Sequence, residues 1–470
     1  MIKPSPRTLS VFTLAMINVA AIGSVKNWPV TAEYGLSSIF YLILAALVFF
    51  IPVSLVSAEL ATGWPQAGGV YAWIKQAFGH RTGFLGIWLL WIENVIWYPT
   101  LLSFIGATIA YIFLPELADN KLYSIATILI IFWGTTFMNL LGMRISGWIS
   151  TFGVVFGTFI PGFLIIGLGI HWYFSGQPLQ ITFTANDLIP HLSSLDQMVF
   201  FTGVILSLCG MEMSAVHAKD VLQPQKQYPK AILLSGAIIL GMSILGVLSI
   251  ASVVPQKEIS LVAGSLQAFS TFVNAYQLNW LTPCIAALIA LGAIGSLSTW
   301  IVGPTKGLLA AAIGGDLPPA LRAINKKGMP LALLLLQGLI VTLLSLVFLW
   351  MPSVSSAFWI LSALVSQLYL IMYLLLFAAA IKLRYKKPDV KRAYTVPGGK
   401  LGMWIVASLG IASSLFAIAI GYLPPSQLDT GSTLWYMAFL MVSALIVCFG
   451  PTLILLFQKP HWKRRLNHEK

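Results

Sequence analysis

Two stretches of the sequence place a glycine and polar groups in the middle of long apolar runs. Residues 18–29 contain small residues and Gly23, followed by a lysine and a proline. Residues 207–214 contain Gly210, followed closely by a glutamate. Glycine weakens a helix by about 1 kcal/mol relative to alanine, and a charge near a bilayer centre costs about 2.5–3.5 kcal/mol. Both stretches therefore predict interruptions of membrane-spanning helices.

An interrupted helix has the groups needed to bind a zwitterion. The N–H groups that begin a half-helix favour an anion such as a carboxylate, and the freed carbonyl groups can accept from an ammonium. Paired breaks point to a transporter with a binding site at the membrane midplane. The alternative is that both glycines only allow close helix packing. The predicted substrate-binding residues are Ala20, Ala21, Ile22, Gly23, Ser24, Cys209, Gly210 and Met211.

Two charged residues occur at similar depth near the first interruption. Lys26 follows this interruption, and Glu93 lies midway along the third apolar run. Because intramembrane charges need partners, one hypothesis is a Lys26–Glu93 ion pair across a cavity. The alternative leaves Lys26 unpaired in a wet outer vestibule.

Glu212 in the second interruption is a candidate for proton handling, because burial favours the neutral form of a carboxyl group. It could also accept hydrogen bonds from backbone amides that the break frees. The two roles are compatible.

No enzyme signature occurs in the sequence. His-Glu-x-x-His and Gly-x-Ser-x-Gly motifs are absent, and the six histidines are scattered. The cysteines, Cys209, Cys284 and Cys448, lie in apolar runs and indicate nothing about an oxidising compartment. We expect neither catalytic residues nor a metal or cofactor.

The composition of the chain predicts that lipid surrounds much of its surface. Hydrophobic residues form 58% of the chain and charged residues 9%, whereas a soluble domain has about 25% charged residues. The net charge of +13 does not indicate nucleic acid, because the basic residues lie between apolar runs rather than on one face.

The apolar runs predict an all-α polytopic membrane protein with twelve transmembrane helices, since a spanning helix needs about 20 apolar residues. We interpret the first run as a retained helix rather than a signal peptide. The runs lie at roughly 9–35, 37–61, 83–114, 121–142, 147–170, 198–218, 229–254, 279–303, 330–351, 355–381, 401–423 and 433–457.

The distribution of basic residues predicts the orientation. With the N-terminus inside, every Lys and Arg except Lys26, Lys121 and Lys257 falls on the inner side. We therefore expect a multi-pass protein of the cytoplasmic (inner) membrane with both termini in the cytoplasm.

Several motifs resemble those of the amino acid–polyamine–organocation (APC) superfamily, and they are most similar to its glutamate:GABA antiporter family. The resemblance covers nearly the whole chain. The motifs are residues 66–73 (QAGGVYAW), 210–212 (GME), 227–229 (QYP), 300–307 (WIVGPTKG), 387–392 (KPDVKR) and 396–400 (VPGGK).

The resemblance implies a single transmembrane domain with a LeuT-like, five-plus-five inverted-repeat core. The repeats would cover about 9–170 and 198–381, with two extra helices at about 401–457. Substrate would bind between the breaks in the first and sixth spans, and the third, eighth and tenth spans would line the cavity.

The residues expected to set cavity charge and gating are Lys26, Trp28, Glu93, Leu206 and Glu212. The sequence departs from the family pattern at some of them. Asn27 and Trp28 replace an acidic residue and a tyrosine, Glu93 replaces an amide, and Leu206 replaces a common aromatic gate. The resemblance therefore does not carry over specificity for glutamate or GABA.

Ser298 and Thr299 of the eighth span are candidate sodium ligands, because hydroxyl oxygens suit a hard cation. Alternatively, these hydroxyls bond back to their own helix. The fifth span has Thr151 near the expected position and lacks the lysine that often replaces sodium in sodium-independent relatives.

Together these features predict a secondary active amino acid transporter that works by alternating access. It would exchange one amino acid for another or for its amine product. A sodium- or proton-coupled symporter and a transport-dead nutrient sensor remain alternatives. The expected partners are small amino acids or amines and the lipid bilayer, not nucleic acid, and the oligomeric state stays open.

Overall fold

A computed structural model describes residues 10–65, 69–141, 157, 159–190, 195–212 and 223–463 of the 470-residue chain. Across these residues the regular elements are helices. In chain order the α-helices are α1 (Val11–Ile22), α2 (Trp28–Ala32), α3 (Ser38–Ala45), α4 (Ile51–Gly63), α5 (Val70–Phe78), α6 (His80–Phe113), α7 (Lys121–Leu140), α8 (Ile160–Phe174), α9 (Ala185–Leu188), α10 (Phe201–Ser207), α11 (Pro224–Val253), α12 (Gly264–Ala275), α13 (Leu281–Ile313), α14 (Leu331–Ser345), α15 (Val347–Trp350), α16 (Val354–Lys386), α17 (Gly399–Gly421) and α18 (Thr433–Leu456).

Within the described part of the chain, nine helical segments are long and apolar enough to cross a membrane. Each overlaps one predicted span, which confirms an all-α, multi-pass membrane protein. The nine are Gly35–Gly63, α6, α7, Gln225–Val253, α13, Leu331–Trp350, α16, α17 and α18.

The other three predicted spans are the first, fifth and sixth. The first and sixth contain the breaks described below, and α8 forms the later part of the fifth. The earlier part of the fifth span and the later part of the sixth fall largely outside the described residues. The total of twelve helices therefore stays a prediction.

The first break separates α1 from α2. A three-residue 3₁₀ helix, Val25–Asn27, lies between them, and α2 carries Pro29 in its first turn. Proline is tolerated there because the first N–H groups of a helix have no intrahelical partner. The glycine and proline of the sequence pattern thus mark the two sides of a real interruption.

The second break follows α10. The chain turns through residues 208–210 and becomes helical again at Met211. Gly210 has a φ of +115°, a conformation that favours glycine because other residues carry a Cβ atom. Both breaks predicted from the sequence are confirmed.

Helices α6 and α16 form the buried centre of the structure. In the most apolar stretch of α6, 78% of the residues are buried, and in that of α16, 72% are buried. The corresponding fractions are 39% for α17 and 17% for α18. α6 packs against α13 and α16, whereas α17 packs on the outside of α16. This burial fits two helices added to a core, and the division into two repeats stays a prediction.

Candidate functional site

A cavity with about 920 Å³ of empty space, including open solvent, lies between the two helix breaks. Side chains from α6, α10, α13 and α16 complete its walls. The residues that line it are Ile22, Gly23, Ser24, Val25, Lys26, Asn27, Glu93, Asn94, Trp97, Leu101, Phe104, Gly157, Leu206, Ser207, Cys209, Ile289, Gly292, Ala293, Ser296, Trp300, Val365 and Tyr369.

The cavity brings together seven of the residues that the sequence selected. These are Ile22, Gly23, Ser24, Lys26, Glu93, Leu206 and Cys209. Four others, Trp28, Gly210, Met211 and Glu212, are not among the described lining residues, although they lie in or beside the breaks. The side chains of Ala20, Ala21 and Thr299 lie outside the described part of the structure.

The first break positions Gly23 and Ser24 at the cavity. Gly23 N–H donates to the Val19 carbonyl oxygen at 2.7 Å, and a Cβ atom on Gly23 would lie 2.7 Å from that oxygen. The Ser24 hydroxyl accepts from Lys26 N–H at 3.3 Å. Only glycine therefore fits this end of α1 without displacing the backbone.

Two tyrosines of α16 hold the second break. The Gly210 N–H donates to the Tyr373 hydroxyl at 3.0 Å. Tyr373 in turn donates to one Glu212 carboxylate oxygen, and Tyr369 donates to the other at 2.5 Å. Glu212 thus accepts from hydroxyl groups of another helix, and it also interacts with the backbone N–H groups of Gly210 and Glu212 at the break, as the sequence predicted.

Lys26 lies buried at the cavity wall, with 3% of its surface exposed. Its ammonium donates to the Thr100 hydroxyl at 3.1 Å. It also lies 5.0 Å from the ring centre of Trp97 and 5.1 Å from that of Phe358. Aromatic faces attract a cation electrostatically, so the lysine is held by neutral groups of α6 and α16.

Glu93 lies on the same helix as Trp97 and Thr100 and is 2% exposed. Its Oε1 accepts from the side-chain amide of Asn94. Among the described residues, the ion pairs involve Glu59 and Asp316 rather than Glu93. The hypothetical Lys26–Glu93 ion pair is therefore absent from this conformation, although both residues line one cavity.

Trp28 packs away from the cavity. Its ring occupies the space beside Gly246 of α11, where a Cβ atom would lie 2.4 Å from the ring. Gly162 of α8 faces the same ring. Trp28 therefore anchors α2 against two neighbouring helices rather than reaching the cavity wall.

Of the two sodium candidates, Ser298 and Thr299, the structure describes the side chain of Ser298. The Ser298 hydroxyl donates to the Asn139 side chain on α7 at 3.0 Å, and Ser298 is buried. Ser296, on the preceding part of the same helix, lines the cavity instead. Thr151 lies outside the described residues.

Comparison with known proteins identifies the family. A model of the amino acid permease family matches residues 9–445. The chain belongs to the amino acid permease family of the APC superfamily. It is therefore a transporter of the membrane rather than an enzyme, as the sequence predicted.

Relatives of this permease include named antiporters. It is 34% identical to a glutamate/gamma-aminobutyrate antiporter of Lactococcus lactis over 95% of this chain and 90% of that one. It is 28% identical to a cadaverine/lysine antiporter of Escherichia coli over 72% and 70% of the two chains. An uncharacterised transporter of Legionella pneumophila is 45% identical over 99% of both chains.

Two tryptophans of this permease were not selected as cavity residues from the sequence. Trp97 of α6 and Trp300 of α13 line the cavity, with ring centres 5.9 Å apart. The Tyr98 hydroxyl fixes this contact by donating to the Trp300 carbonyl at 2.8 Å. Tryptophan is common throughout this chain, so only the fold distinguishes these two rings from the others.

A second polar group of this permease, the Glu59 cluster, consists of Glu59, Arg384 and Arg392. Arg384 donates to both Glu59 oxygens at 2.5 Å, and Arg392 Nε lies 3.3 Å from Oε1. The Val396 N–H donates to Glu59 Oε2 at 2.8 Å. The cluster ties the end of α4 to the end of α16 and to the segment before α17.

Proposed function

We propose that this permease exchanges amino acids across the cytoplasmic membrane by alternating access, trading one amino acid for another or for its amine product. The observation that carries the proposal is the cavity between two helix breaks, which is lined by the buried side chains of Lys26 and Glu93. The antiporter relatives at 34% and 28% identity support exchange rather than one-way movement.

In this proposal the breaks bind the common part of an amino acid. Backbone groups of residues 20–24 and 209–211 would contact the substrate's carboxylate and ammonium groups, because the ends of half-helices at a membrane midplane favour ions. Glu212, held by Tyr369 and Tyr373, would couple the second break to α16. Both termini would lie in the cytoplasm, as the distribution of basic residues favours.

The proposed architecture divides the chain into an inverted repeat of about 9–170 and 198–381 with extra helices at about 401–457. Alternating access would arise when the half-helices and their neighbours rock around the cavity. Gly23 and Gly210, the glycines of the two breaks, are the positions at which we expect the half-helices to pivot.

Counterflow in proteoliposomes tests the proposal. Vesicles containing the purified permease are loaded with one unlabelled amino acid or amine at a time, and uptake of a trace of labelled amino acid is followed with and without sodium. We expect transient, saturable accumulation that requires an internal substrate. Binding of amino acids without counterflow would instead indicate a sensor, and accumulation that needs an ion gradient but no internal substrate would indicate a symporter.

A further inference from the structure

A groove lies between the beginning of α6 and the end of α18. It has about 610 Å³ of empty space, including open solvent. The distribution of basic residues predicts that these ends of the two helices face the cytoplasm. The described residues that line the groove are Arg81, Thr82 and Leu85 of α6 with Pro451, Thr452, Leu455 and Leu456 of α18.

Trp88 of α6 fixes α18 at the deep end of this groove. Pro451 has no N–H group, so the carbonyl oxygen of Val447, four residues earlier, lacks its usual partner within the helix. Trp88 Nε1 donates to this oxygen at 3.0 Å. A Cβ atom on Gly450 would also lie 3.4 Å from the Trp88 ring. From this contact to the open end, residue numbers fall along α6 and rise along α18, so the two helices are antiparallel.

Arg81, at the open end of the groove, differs from the other arginines that the structure describes. Arg384 and Arg392 contact Glu59, and Arg322 donates to a backbone carbonyl of the C-terminal segment. Arg81 is exposed, and among the described residues it has neither an ion pair nor a hydrogen bond. Its guanidinium has five N–H donors in a planar fork, and these are available to an anion.

Two threonine hydroxyls extend the polar side of the groove. Other threonines, such as Thr100 and Thr108, donate to a carbonyl of their own helix. For Thr82 and Thr452 no such bond occurs in the described part of the chain. Thr82 adjoins Arg81, whereas Thr452 follows Gly450 closely and therefore lies about one helical turn deeper, or about 5 Å.

The rest of the groove is apolar and borders the lipid. Leu85, Leu455 and Leu456 supply its apolar walls. Only 17% of the residues in the most apolar stretch of α18 are buried, so most of this helix faces the bilayer. A guanidinium near the membrane surface, a deeper hydroxyl and apolar walls match the phosphate, ester and acyl groups of a phospholipid in order of depth. A free phosphate ion would use only the guanidinium end.

We propose that this groove binds an anionic phospholipid of the inner leaflet. The phosphate contacts Arg81 and Thr82, since a guanidinium binds phosphate oxygens through two parallel hydrogen bonds. The Thr452 hydroxyl donates to a glycerol ester carbonyl, and an acyl chain runs past Leu85 along α18. Anionic lipids give the cytoplasmic leaflet its negative surface potential. The site is independent of the proposed exchange function.

Lipid titration of the purified, delipidated permease tests the site. Phosphatidylglycerol or phosphatidylcholine is added in detergent, and the Kd of the tightest bound lipid is measured by native mass spectrometry. Arg81→Gln removes the guanidinium, Arg81→Lys keeps a positive charge, and Thr452→Val removes the deeper hydroxyl while keeping its shape. Lys326→Gln removes one exposed charge outside the groove and is a control with the same net charge as Arg81→Gln.

We expect the native protein to bind phosphatidylglycerol more tightly than phosphatidylcholine. Arg81→Gln should weaken phosphatidylglycerol binding about fivefold, the effect of one basic residue at an anionic lipid surface. Arg81→Lys should keep the preference for phosphatidylglycerol, Thr452→Val should weaken binding by a smaller factor, and Lys326→Gln should bind as the native protein does. Unfolding temperatures of all four variants should stay native, because the two groove residues have no described partners to lose and Lys326 is exposed.

Three results would overturn the proposal. Equal affinity of the native protein and Arg81→Gln for phosphatidylglycerol would mean that Arg81 does not contact the lipid. An equal loss in Lys326→Gln would mean that the surface charge as a whole attracts the lipid. Soluble glycerol phosphate that displaces phosphatidylglycerol at equal concentration would identify a site for a free phosphate group instead.

Discussion

The buried ionisable side chains of the cavity and of the Glu59 cluster have different kinds of partners. In the Glu59 cluster, one carboxylate has two arginines and a backbone N–H as partners. In the cavity, Lys26 and Glu93 lie on one wall without pairing with each other. A buried ionic group is stabilised when partners of opposite charge surround it. Glu59 has such partners, whereas the contacts of Lys26 and Glu93 described above are with neutral groups.

The difference separates a structural role from a binding role. The Glu59 cluster joins α4, α16 and the segment before α17, so its charges hold elements together. In the cavity, Lys26 contacts α6 and α16 only through neutral groups, and Glu93 bonds to Asn94 of its own helix. Substitutions in the two regions are therefore expected to affect different properties.

The largest effect is expected at the Glu59 cluster. Replacing Glu59 by glutamine leaves Arg384 and Arg392 without their anion, and breaking a buried pair in this way costs about 3–5 kcal/mol. Thermal unfolding of the detergent-solubilised protein should show the loss, while Glu116→Gln, at an exposed residue, should unfold at the native temperature. A Glu59→Gln protein of native stability would show that the cluster does not hold this region together.

The next effect concerns stabilisation by ligand. An amino acid at about 100 times its Kd should stabilise the native protein by about 2.7 kcal/mol, because it binds only the folded state. Lys26→Gln at the same ligand concentration should show a smaller shift, since part of the affinity is lost. Equal shifts in both proteins, measured by thermal unfolding, would argue against a ligand contact at Lys26.

A smaller effect is expected at the second break. Gly210→Ala forces a Cβ atom into a φ of +115° and should lower stability by about 1–2 kcal/mol, together with the exchange rate. Gly134 of α7 has open space where a Cβ atom would lie and provides the control. Gly134→Ala should keep or raise stability. An equal loss of stability in both variants would mean that the backbone conformation at Gly210 does not require glycine.

The smallest effect is expected on the counterflow rate when sodium is replaced by choline. The Ser298 hydroxyl donates to Asn139, so we expect counterflow to be the same in sodium and in choline. Initial rates in the two media provide the comparison. A rate that falls when sodium is removed would contradict this expectation and indicate sodium coupling.

The sequence predicted the features that depend on residues close together in the chain. Hydropathy found the spans, and Gly23 and Gly210 marked both breaks because glycine inside an apolar run weakens a helix. Glu93 and Lys26, which occur at similar depth along their runs, both line one cavity in the structure.

Other features depend on side-chain direction and on contacts between distant segments. Trp28 turns toward Gly246, and Ser298 turns toward Asn139, both far away along the chain. The partners of Glu212 likewise come from α16. Hydropathy carries no information about the rotation of one helix against another, so these contacts could not be predicted.

The most direct test of the account is counterflow by the native protein. Vesicles that contain the purified permease and an unlabelled amino acid are compared with empty vesicles for uptake of the same amino acid in labelled form. The account predicts transient accumulation of the label that requires the internal amino acid. Equal uptake by loaded and empty vesicles would contradict exchange.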